Sequence, residues 1–80
     1  MFDKTKIKVV RKNNFIYIYI TELLHLVFKT DNYIGFQSWM DEDYFIIEHY
    51  FNNSTPIRCK YDTQDKWQAI IENLNLIFIT

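Results

Sequence analysis

The run Phe15-Ile16-Tyr17-Ile18-Tyr19-Ile20 consists entirely of aromatic and β-branched residues. Such residues favour strands, and successive side chains of a strand point to opposite faces, so neither face here is polar and both demand cover. A chain of 80 residues makes one domain, and a core this small is marginal unless large apolar side chains fill it. They are plentiful: 49% of the residues are hydrophobic and 19% aromatic, which argues for an ordered fold and against disorder. One glycine and one proline leave little turn punctuation, so strand alternation and polar clusters must locate the elements.

Residues 6–11 alternate in part, pass through Lys12-Asn13-Asn14, and return as 15–20, which reads as a hairpin. Residues 22–28 fit both one helical turn, through Leu23, Leu24 and Val27, and a strand, through Leu24, Leu26 and Phe28. A strand is expected, because 15–20 needs a neighbour. Residues 33–40 follow as a strand in which Gly35 marks a bulge or a close approach. In 44–51, Phe45, Ile47, His49 and Phe51 share one face, and Tyr44, Ile46, Glu48 and Tyr50 the other. Residues 57–61 alternate strictly, with Ile57, Cys59 and Tyr61 inward.

Asp62 or Thr63 caps a helix over about 63–78, with Asp65 near the positive end of its dipole. Its apolar stripe runs through Trp67, Ile70, Ile71, Leu74, Ile77 and Phe78. The expected fold is α+β: an antiparallel β-meander of about five strands with one C-terminal amphipathic helix packed on one face. This order of elements resembles pleckstrin-homology-like modules, and the strand rhythm of residues 6–33 resembles LytTR-type DNA-binding domains. Neither likeness supplies a motif, so no residue's role is carried across.

Charge is unevenly distributed. Residues 1–12 hold Lys4, Lys6, Lys8, Arg11 and Lys12 against Asp3 alone, whereas the rest of the chain sets four cations against nine carboxylates. A basic arm attracts acidic partners or nucleic acid, and an acidic body repels phosphate. The single cysteine, Cys59, excludes an intrachain disulfide and suits a reducing cytoplasm, the expected location. No secretory leader is expected, and no run of about 18 apolar residues offers a spanning helix.

Candidate chemistry is sparse. Asp41, Glu42 and Asp43 with the nearby His49 lack the ligand spacing of a cation loop, and a solvated turn is the better reading. Cys59 with His25 or His49 would need an exposed, electropositive thiolate, yet Cys59 is expected inside. No cofactor is expected, since one glycine cannot build a phosphate loop. The aromatics Tyr17, Tyr19, Tyr33, Trp39, Tyr44 and Tyr50 could stack bases, but Asp41, Glu42, Asp43 and Glu48 near the middle strands would oppose phosphate.

The leading expectation is therefore a non-enzymatic protein acting through a protein interface, with self-association. Phe15, Tyr17, Tyr19, Tyr44, Ile46 and Tyr50 form that interface and Asp41, Glu42 and Asp43 its acidic rim. A mobile-element or phage-type inhibitor of a larger host protein is one form of this reading. The second expectation is a nucleic-acid-binding module using Lys4, Lys6, Lys8, Arg11 and Lys12; a third is a small-ligand-binding domain.

Overall fold

The computed structural model describes residues 6–79, so Lys4 lies outside the described residues. Six strands precede one helix: β1 (Ile7–Lys12), β2 (Phe15–Ile20), β3 (Leu23–Lys29), β4 (Tyr33–Asp41), β5 (Tyr44–Phe51), β6 (Ile57–Tyr61) and α1 (Gln64–Ile79). The fold is α+β as expected, with six strands where about five were anticipated, and the meander divides after β3 into two antiparallel sheets, β1-β2-β3 and β4-β5-β6. Packing explains the division. The Phe28 ring of β3 stacks on Tyr33 at 4.5 Å and meets His49 at 5.4 Å and Phe51 at 5.5 Å, so the inner face of β3 lies against the second sheet.

Turn chemistry follows the backbone. Asn13 and Asn14 both adopt left-handed φ, 53° and 67°, which a two-residue hairpin between twisted strands requires and asparagine tolerates. Thr21 and Glu22 do the same between β2 and β3, at 50° and 67°, although a β-branched residue is unfavourable there. The turn is braced by Thr21 N–H donating to the Lys6 carbonyl at 2.9 Å. Thr21→Asn should raise stability by about 1 kcal/mol, read as a higher urea midpoint with an unchanged slope; a lower midpoint would contradict the strain. At Gly35, φ is 151° and the β4–β5 register shifts, which makes it the expected bulge and turns Ile34 outward.

Residues 23–29 are strand and not helix, because β2 holds them in register from Phe15↔Lys29 to Ile20↔Leu23. Helix α1 is capped by Thr63, whose Oγ1 accepts from the Lys66 N–H at 3.4 Å. It packs against β1, β5 and β6, and so bridges the two sheets. Its buried face is Ala69, Ile70 and Leu74, with Trp67, Ile71 and Ile77 beside them. Trp67 Nε1 donates to the Ile46 carbonyl at 2.9 Å, tying the helix to β5. One core collects Ile7, Ile16, Ile18 and Phe28 from the first sheet, Ile47 and Tyr61 from the second, and the helix residues.

Candidate functional site

Strand β2 answers its two-faced sequence in two ways. Ile16 and Ile18 are 0% exposed in the core, so alternation sends Phe15, Tyr17 and Tyr19 to the outer face of the first sheet. Among the described residues no helix or strand covers that face; all three rings are half-buried by their neighbours. Register sets those neighbours in three cross-strand rows: Lys12–Phe15–Lys29, Val10–Tyr17–Val27 and Lys8–Tyr19–Leu24. Aromatic rings therefore form a column on the central strand, with centroids 6.3 and 6.4 Å apart and the two tyrosines inclined by only 17°. Lysines stand on both flanks. Lys29 Nζ lies 5.9 Å from the Phe15 centroid, within cation–π reach.

An open cleft of about 870 Å³ occupies this face, lined by Lys6, Lys8, Val10, Lys12, Asn13, Tyr17, Tyr19 and Glu22. Of the basic residues expected from sequence, the structure joins Lys6, Lys8 and Lys12 to the aromatic column and adds Lys29, which sequence reasoning missed. Its signal was parity: Lys29 pairs with Phe15 once residues 23–29 are read as a strand antiparallel to β2. Arg11 stands opposite Ile16, on the other face of the hairpin.

The expected composite protein interface is not one continuous surface. Tyr44, Ile46 and Tyr50 belong to β5 in the second sheet, away from Phe15, Tyr17 and Tyr19 in the first. Ile46 is 1% exposed between Trp39 and Lys60, so it offers nothing to a partner. On the outer face of the second sheet, side chains pair with one another around Ile46 and Glu48, while Tyr44 stays exposed. Arg58 Nε donates to Glu48 Oε2 at 2.9 Å, its guanidinium lies 5.2 Å from the Trp39 ring, and Lys60 lies 5.3 Å from that of Tyr44. Tyr50 donates its hydroxyl to Glu48 Oε1 at 2.6 Å. That bond, followed by Arg58, holds the Glu48 carboxyl below the usual range. Asp41, Glu42 and Asp43 are exposed at the β4–β5 turn of this same sheet.

Each histidine pairs with a tyrosine hydroxyl. His49 is 0% exposed; its Nδ1 pairs with the Tyr33 hydroxyl at 2.9 Å, and its Nε2 has no partner. Burial, then the charge of His25, pushes the imidazole down to about 4, so it is neutral at pH 7. His25 Nε2 pairs with the Tyr61 hydroxyl at 2.8 Å. Cys59 stands opposite Ile47 while His49 stands opposite Ile57, and burial pushes the Cys59 thiol up, away from the thiolate a nucleophile needs. Among the described residues no group of three or more His, Cys, Asp or Glu is placed to hold a metal ion, and no helix is long and apolar enough to cross a membrane. No family model, curated protein or solved structure matches this chain.

Proposed function

We propose that the outer face of the first sheet binds single-stranded nucleic acid, with bases stacking on Tyr17, Tyr19 and Phe15 and phosphates neutralised by Lys6, Lys8, Lys12 and Lys29. The observation that carries this reading is the aromatic column on β2 flanked on both sides by lysines. Stacking is sequence-tolerant because every base has a π-face, and a basic surround draws in the backbone. Carboxylates beside the aromatics would oppose phosphate. Asp41 and Glu48 belong to the other sheet, Glu42 and Asp43 to its β4–β5 turn, and among the described residues Glu22 is the one carboxylate lining the cleft.

Fluorescence anisotropy with a labelled oligo-dT or oligo-U strand tests the reading. Four phosphate contacts give a slope of about −3 for log K against log salt, so affinity falls about 50-fold between roughly 50 and 200 mM salt. Lys8→Gln should flatten that slope by about 0.7. Tyr19→Ala should weaken binding by about 1–3 kcal/mol with the slope unchanged. Absence of binding at low salt, or binding indifferent to salt, overturns the proposal.

A protein interface is the second reading, favoured by the exposed Met40 and Tyr44 beside the Asp41-Glu42-Asp43 turn, which would suit a basic partner. If basic partners captured at physiological salt still bind Asp41→Lys/Asp43→Lys, that reading fails.

A further inference from the structure

We propose that two copies of this chain pair antiparallel through β3, joining their first sheets into one six-stranded platform. Strand β3 is an edge of its sheet, and Leu23, Leu24 and Val27 are 74%, 53% and 40% exposed along it. Edge strands are normally guarded by charge. The opposite edge, β1, carries Lys8, Arg11 and Lys12 and is packed by α1, whereas Leu23 to Phe28 contains no lysine, arginine, aspartate, glutamate or proline.

One register satisfies the flanking pairs and sets the bulge residue His25 against the partner's Leu26. The β2–β3 ladder passes from Ile18↔Leu26 to Tyr19↔Leu24, leaving His25 as an extra residue, so Leu24 and Val27 share the outer face although they are three apart. The same bulge puts both in the same hydrogen-bonding phase relative to β2, because their partners Tyr19 and Tyr17 are two apart. A two-fold axis between residues 25 and 26 then sets Leu24 against the partner's Val27 and Leu23 against the partner's Phe28, each pair matched in face and phase. It also sets Glu22 against the partner's Lys29, so opposite charges close both ends of the ribbon. Strand β4 is an edge too, but it carries Asp41 and no cation, so self-pairing there gains no such complement.

The row Lys8–Tyr19–Leu24 continues across the axis through the partner's Val27 and the partner's Tyr17. Two aromatic columns then lie on one surface, with lysines along both outer edges. This consequence rests on the nucleic-acid reading; the pairing does not.

Light scattering on the full chain without nucleic acid tests the pairing, and the expected mass is twice that of the chain. Lys29→Glu sets like charges opposite each other at both ends and should raise the dimer dissociation constant about tenfold. Adding Glu22→Lys in the same chain should restore it, and that rescue distinguishes a register effect from damage to the fold. A monomer at every concentration overturns the pairing, as does a dimer unmoved by the single exchange or left unrescued by the double one. A dimer that binds no oligonucleotide leaves the pairing standing and removes only the nucleic-acid reading.

Discussion

Acidification from pH 7 to pH 4 is expected to remove about 3 kcal/mol of stability through His49 alone. In the unfolded chain its imidazole titrates near 6.5, and in the fold burial depresses it to about 4. A base that binds its proton less tightly when folded contributes its full stability above about 6.5. That contribution is lost as the pH falls toward 4, because only the unfolded chain takes up the proton readily. The geometry supports the direction: a ring with 0% exposure, set among Phe28, Tyr33 and Phe36, has one nitrogen on the Tyr33 hydroxyl and one on nothing. Urea titrations followed by circular dichroism at several pH values measure it. His49→Phe should flatten the profile between pH 6.5 and 4, and a variant as acid-sensitive as the parent would show that the loss comes from other groups.

Ile18→Ala and Tyr19→Ala, one residue apart, are expected to separate folding from function. Ile18 is wholly buried, and truncating such a side chain removes its burial and leaves a cavity, about 2–5 kcal/mol together. A domain of this size has about 4–12 kcal/mol in total, so the variant loses a large share of its cooperative unfolding transition. Tyr19→Ala removes a half-buried ring from an open face and should cost about 1 kcal/mol of stability through lost cross-strand contacts. Its effect falls on oligonucleotide binding. Thermal melts and anisotropy on the same two proteins check both halves, and equal destabilisation would mean that the outer face is as enclosed as the core.

Much of the architecture is legible in residue spacing. The 3.6-residue periodicity of Trp67, Ile70, Leu74 and Ile77 yields the helix, and strict alternation yields β6 and the two faces of β5. The choice of strand for 22–28 also holds, for the reason expected: β2 needed a neighbour. Less legible was the separation of Tyr44, Ile46 and Tyr50 from Tyr17 and Tyr19. Local spacing assigns a residue to a face of its own strand and carries no information about which strands share a sheet. Ile46 shows the same limit, for its cover comes from the residues beside it on β4 and β6. Ala69 was missed because a small side chain adds little to an apolar stripe, yet it is fully enclosed where α1 packs against the sheets.

By itself the sequence determined that Ile16 and Ile18 face one way and Phe15, Tyr17 and Tyr19 the other, since backbone pleating imposes that division wherever the strand lies. It also determined that the basic residues are concentrated near the N-terminus. Only the tertiary structure decided that lysines flank the aromatic column from both sides and that the acidic turn belongs to a different sheet. Those are consequences of strand pairing and of the break after β3, which depend on how distant apolar side chains share one core.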